Sequence, residues 1–142
     1  LERSKGEEFM FPHVRKAIAD AWRRAGIPGV ESLDGIETHD CFTSTEYMAI
    51  DHFGLTPPGQ SWQAIESGLV EIDGKCPVNA SGGLIGVGHP VGATGARLLL
   101  DAGRQVTGTA GDYQVAGART YGTLNIGGSL GTVVSLDVGL RD

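Results

Sequence analysis

The chain has 142 residues, 40% of them hydrophobic, and its 11 Lys and Arg against 17 Asp and Glu give a net charge of −6. Those values describe one globular domain rather than a disordered chain, and without a basic patch nucleic acid is not an expected partner. No apolar run approaches a membrane span, no stretch has the form of a signal peptide, and the two cysteines, Cys41 and Cys76, make no disulfide framework, so a reduced, cytoplasmic setting is expected.

The first predicted element is a helix from about Phe11 to Ala25. Pro12 opens it, Val14, Ile18, Ala21, Trp22 and Ala25 form its apolar stripe, and Gly26 with Pro28 ends it. A short strand, Gly35 to His39, runs into Asp40-Cys41-Phe42. A second helix follows at once, with Thr43 and Glu46 at capping-box spacing, Tyr47, Ile50 and Phe53 facing inward, and Gly54 as its stop. Leu55 to Gln60 reads as loop, Ser61 to Glu66 as a short helix and Asp73-Gly74 as a turn. Cys76 to Val87 reads as a strand passing into an irregular segment rich in glycine, a residue present 23 times in the chain. Pro90 then opens a helix to about Val106, with Ala96, Leu99, Leu100 and Val106 inward. Arg119 to Asn125 and Thr132 to Val138 are the last two strands, joined through Ile126-Gly127-Gly128-Ser129-Leu130-Gly131. Helices alternating with strands and closing on a hairpin predict an α/β layered domain.

Three places carry candidate chemistry. Gly88-His89-Pro90 puts a histidine at a predicted helix start, where the dipole field disfavours imidazolium and leaves the ring neutral for general-base or donor work. The structural alternative is a histidine that merely caps the helix. His39-Asp40-Cys41-Phe42 stands at the C-terminal end of a strand, where sites in open α/β sheets gather. A thiol near helical N–H groups, with a histidine two residues away, suits acid/base or nucleophilic work; the alternative is a buried Cys and a core His. In Asn125-Ile126-Gly127-Gly128 the backbone N–H groups are candidate oxyanion donors, or the segment is a plain hairpin turn. The glycine-rich run lacks the Gly-Lys-Ser/Thr of a phosphate loop, and His13, His39, His52 and His89 show no metal-ligand spacing, so no metal is expected. His13 and His52 are expected on helix surfaces, and Cys76 as structural.

Together these segments resemble the C-terminal half of a thiolase. Asn79 to Gly95 looks like the thiolase segment that carries the Gly-His-Pro histidine, and Leu124-Asn125-Ile126-Gly127-Gly128 resembles the last catalytic loop. His39-Asp40-Cys41-Phe42 stands where most thiolases have Asn-Glu-Ala-Phe, and it is the variant of the sterol-carrier-protein (lipid-transfer) type. By that resemblance His89 activates a nucleophilic cysteine and helps polarise the acyl carbonyl, and His39 contributes to a first oxyanion hole. Cys41 takes the acid/base role that a loop cysteine fills in ordinary thiolases, and the Gly127 N–H serves a second oxyanion hole. Asn125 departs from the pattern, since it leaves the loop without a thiol and adds weight to Cys41. The nucleophilic cysteine of the family belongs to the N-terminal half, and neither Cys41 nor Cys76 matches its motif.

The resemblance implies a thiolase-like α/β/α layered domain over 1–142, with a mixed sheet of four or five strands and an open edge where a leading strand is not found. A start at Leu1-Glu2-Arg3, without an initiator methionine, is expected of a piece of a longer parent. The implied activity is acyl-CoA acyltransferase chemistry, the thiolytic cleavage or Claisen condensation of a 3-oxoacyl-CoA, with the piece inactive alone. A coenzyme A thioester is the substrate and no cofactor is tightly bound. The expected partners are acyl-CoA, CoA and the thiolase N-terminal half, with a homodimer or tetramer in the parent and no membrane. Two other readings stand beside it: retro-aldol cleavage of a steroid side-chain CoA thioester with a partner protein, and a non-catalytic CoA- or lipid-binding module.

Overall fold

The computed structural model describes residues 8–128 and 130–140. Pro12 begins α1 (Pro12–Ala25), where its missing N–H has no helical partner to lose, and Gly26 ends the helix in the left-handed region at φ 75°. Val14, Ile18, Ala21 and Trp22 are buried along one stripe, whereas Ala25, expected to join them, is exposed on the last turn.

Thr43 opens α2 (Thr43–Phe53), but the expected pairing with Glu46 does not cap it. Thr45 does that work: its hydroxyl donates to Phe42 O at 2.6 Å and faces the Phe42 N–H at 3.3 Å. Ala49, Ile50 and Phe53 turn inward, while Tyr47 stays 39% exposed. His52 is buried rather than on the surface, because the amide ahead of α1 needs an acceptor. The Phe11 N–H donates to His52 Nε2 at 3.1 Å, and His52 Nδ1–H donates to Met48 O at 2.8 Å. Arg15 serves the other end of α2, donating to the His52 and Phe53 carbonyls at 2.8 and 3.2 Å. The short α3 (Ser61–Glu66) lies where the sequence places it.

The sheet is mixed, in the order β1 (Gly35–Thr38), β2 (Thr120–Gly127), β3 (Thr132–Gly139), with β1 parallel and β3 antiparallel to β2. It has three strands among the described residues, fewer than the four or five expected. The predicted strand at Cys76 reduces to a single parallel bridge between Val78 and Ile36, followed by α4 (Gly83–Val87). Cys76 itself is buried and free, and burial pushes its thiol up to about 12, as befits a structural residue.

Alternation along the strands builds two helical layers. Ile36 and Leu124 meet Val14, Ile18, Trp22 and Phe53 on one face. On the other, Tyr121 meets Ala102 and Val106 of α5 (Thr94–Val106) and lies so close over Gly35 that a Cβ there would stand 2.3 Å from the ring. The result is the expected helix–sheet–helix layering.

Helix α5 departs from expectation in start and phase. Pro90 opens a turn, its carbonyl accepting from the N–H groups of Ala93 and Thr94 at 2.8 and 3.0 Å, and the helix begins only at Thr94. Leu98, Asp101, Ala102, Gln105 and Val106 are buried, while Ala96, Leu99 and Leu100 are exposed. The polar pair inside is satisfied by the following loop. Tyr113 OH donates to Asp101 at 2.8 Å, and the Gln105 side chain bonds both Tyr113 O at 2.7 Å and the Val115 N–H at 2.8 Å. Chemical denaturation checks this phase: Leu98→Ala should cost ~2–5 kcal/mol, and Leu99→Ala no more than ~0.5 kcal/mol.

Candidate active site

The strand parity that sends Glu37 toward α5 sends His39 the same way, one residue past the end of β1, where its N–H donates to Leu124 O at 3.0 Å. His89 reaches the same spot from the segment after α4. The two imidazoles meet edge to face, with ring centroids 4.8 Å apart. Burial and the neighbouring His89 hold the His39 pKa below the ordinary imidazole range, although Asp40 pulls the other way.

His89 is oriented by α5, though not by standing at its first residue. Its Nδ1 lies 2.7 Å from Thr94 Oγ1, and that hydroxyl donates to Pro90 O at 3.2 Å. With the threonine proton spent there, Thr94 Oγ1 stands as the acceptor for His89 Nδ1–H. The expected dipole argument is thus replaced by a hydrogen bond from a residue that the sequence did not single out. The spacing His89 to Thr94 was its one available signal.

Three side chains tie β1 to the glycine-rich segment. Asn79, held at φ 55°, accepts the Thr38 N–H on Oδ1 at 2.7 Å. Fully buried Glu37 receives the Ser81 N–H at 3.1 Å and the Ser81 hydroxyl at 2.6 Å. Asp40 accepts the Leu84 N–H at 2.6 Å, and its carboxylate lies so near Gly83 that a Cβ there would stand 2.1 Å from Oδ2. Only glycine fits beside that carboxylate. Burial pushes Glu37 up to about 7 against the Ser81 bonds, and burial with the Asp40 charge raises Glu46 as well.

A cavity of about 450 Å³ is lined by His39, Cys41, His89 and Gly127, so all four candidate residues come together. Cys41 is half-buried and free. A second cavity of about 270 Å³ shares His39 and Gly127 and adds Asn125 and Gly95. Asn125 packs against the first turn of α5, where a Cβ on Gly95 would lie 3.4 Å from its Oδ1. His13, exposed on α1 as expected, holds the loop from outside with Nε2 2.6 Å from Leu130 O. Among the described residues no group of three or more His, Cys, Asp or Glu could hold a metal ion, and no helix is long and apolar enough to cross a membrane.

Two consequences are measurable. Thr94→Val removes the acceptor for His89 Nδ1–H, so ring ¹⁵N spectra should show a mixture of neutral tautomers in place of the Nδ1–H form. Glu37 has a folded pKa above its ordinary value, so its protonated form is favoured in the fold. The stabilisation is complete below about pH 4.5 and lost as the pH rises through about 7. Relative to Glu37→Gln, the native protein should lose up to ~3 kcal/mol across that window in urea titrations.

A family model described as thiolase C-terminal domain-like matches residues 2–136. An acetyl-CoA acetyltransferase from Methanothermobacter thermautotrophicus is 42% identical over 117 residues, covering 82% of this chain and 30% of that protein. Sterol carrier protein 2 from Gallus gallus is 38% identical over 123 residues, covering 87% of this chain and 22% of that protein. The solved structure titled Ltp2-ChsH2(DUF35) aldolase superposes with a TM-score of 0.81 over 96% of this chain and 34% of its own, at 21% identity, which is a likeness of fold. The chain therefore spans less than a third of the length of these two curated relatives. It belongs to the thiolase family, as a C-terminal-domain-like member with relatives of the sterol-carrier type.

Proposed function

We propose that this chain supplies the histidine–cysteine side of a coenzyme A thioester site, performing acyl transfer by thiolytic cleavage or Claisen condensation of a 3-oxoacyl-CoA in a longer parent. The observation that carries the reading is the convergence of His39, Cys41, His89 and Gly127 on one cavity. Claisen chemistry passes through an enolate and a tetrahedral oxyanion, so it needs both positioned donors and a proton carrier. His39 and the Gly127 N–H stand as the donors. His89 Nε2, with its lone pair free, takes the proton of the attacking thiol, and Cys41 exchanges the proton at the α carbon. The attacking cysteine itself comes from the thiolase N-terminal half, the partner that completes the site. The free cysteines support a reduced, cytoplasmic setting.

Asn125 favours a second reading. A loop without a thiol, with an amide against Gly95, also suits retro-aldol cleavage of a CoA thioester, which needs enolate stabilisation but no acyl-enzyme. The two part on one requirement: thiolysis consumes free CoA as co-substrate and retro-aldol cleavage does not.

The shared step is tested by hydrogen–deuterium exchange at the α carbon of acetyl-CoA in D₂O, followed by NMR with the full-length protein. His39→Ala and Cys41→Ala should each slow exchange by ~10²-fold or more with unchanged circular dichroism. Exchange at the native rate in both variants would remove the catalytic reading.

A further inference from the structure

Asparagine is a poor strand residue, because its short amide competes for backbone groups and packs badly on a pleated surface. Asn125 nevertheless sits inside β2, opposite Val134 and on the face that Tyr121 turns toward α5. A structural asparagine in such a place holds a backbone group, as Asn79 holds the Thr38 N–H. Asn125 does not: among the described residues its half-buried carboxamide makes no hydrogen bond to the protein. A residue that breaks a local rule of the fold without stabilising it marks a functional position.

The carboxamide lines the cavity of about 270 Å³ against the first turn of α5. This cavity adjoins the catalytic one along His39, Ile126 and Gly127, which line both. Cys41 and His89 line only the catalytic cavity, and Asn125 only its neighbour. The other hydroxyls of the neighbouring cavity are engaged or open to water. Thr94 is held between Pro90 O and His89 Nδ1, and Thr132 is exposed. A carboxamide does not ionise at neutral pH, so Asn125 cannot carry a proton as a thiol can. It offers an acceptor oxygen and two N–H donors fixed in one plane, which suits the recognition of a neutral oxygen.

Resting on the acyl-CoA reading above, we infer that Asn125 is a specificity-determining residue whose carboxamide hydrogen-bonds the oxygen on the β carbon of the acyl group. With the thioester carbonyl at His39, the β carbon lies two bonds farther along, and its oxygen passes Gly127 toward Asn125. A keto oxygen there accepts from Nδ2–H, and a hydroxyl donates to Oδ1, so the residue serves either of the two reactions. The site then favours thioesters of 3-oxo and 3-hydroxy acids over saturated acids of the same length.

By calorimetry on the full-length protein, 3-hydroxybutyryl-CoA should bind about three- to tenfold more tightly than butyryl-CoA, the range of one neutral hydrogen bond. Asn125→Ala should remove that difference by weakening the hydroxy thioester alone. A merely structural asparagine would weaken both. The native protein supplies a second readout by ¹⁵N NMR, with the Asn125 Nδ2 resonances assigned by their loss in Asn125→Ala. They should move on adding 3-hydroxybutyryl-CoA and stay in place with butyryl-CoA. The inference is overturned if the native protein binds the two thioesters equally, if Asn125→Ala weakens both alike, or if the amide responds alike to both. Failure of the acyl-CoA reading looks different: neither thioester binds the native protein, and the inference falls with it.

Discussion

The two imidazoles can meet only because β1 is laced to the glycine-rich segment before α4. Glu37 on Ser81, Asn79 on the Thr38 amide and Asp40 on the Leu84 amide act in succession along residues 37–40. Each bond joins partners more than forty positions apart in sequence. A paired strand would have done the same with backbone alone, but here the backbone contributes one bridge, at Val78. Buried side chains therefore carry the alignment, and a buried carboxylate without its donors would cost more than it contributes.

This arrangement divides the duties of the two histidines. His39 is fixed through its own strand, by a backbone bond to Leu124, and its ring is poor in charge because it is buried against another imidazole. His89 is held from the other side through Thr94. The pair thus presents one ring set by the sheet and one set by α5, with Gly127 at the end of β2 lining the same cavity. A site assembled from three separate elements keeps its geometry only while the sheet and α5 stay in register, which is the task of the Tyr121–Gly35 contact beneath it.

Much of this was legible in the sequence. The strands at Gly35, Thr120 and Thr132, the helices at Pro12, Thr43 and Ser61, and the spacing of His39, Cys41, His89 and Gly127 follow from periodicity, turn residues and motif order. What failed has a common cause. Pro90 has the chemistry of a helix start, yet the same chemistry suits a turn, and the helix waited for Thr94. Leu99 and Leu100 read as inward on apolarity alone, but Asp101 and Gln105 claim the inner face because Tyr113 and Val115 need partners there. His52 departs from its expected surface place for a related reason, since the amide it satisfies stands ahead of another helix. Long-range hydrogen bonds leave no local signature. The lacing residues Glu37, Asp40 and Asn79 were visible as letters but not as partners.

The alternation of β1 reaches further than packing. Ile36 serves the core under α1 and α2, while Gly35, Glu37 and His39 serve the opposite face. A single inserted or deleted residue in this strand would exchange the two sets, sending a carboxylate into the hydrocarbon layer and an isoleucine into the site. The register of β1 is therefore fixed from both faces at once, since no shift by one residue keeps the core and the site together.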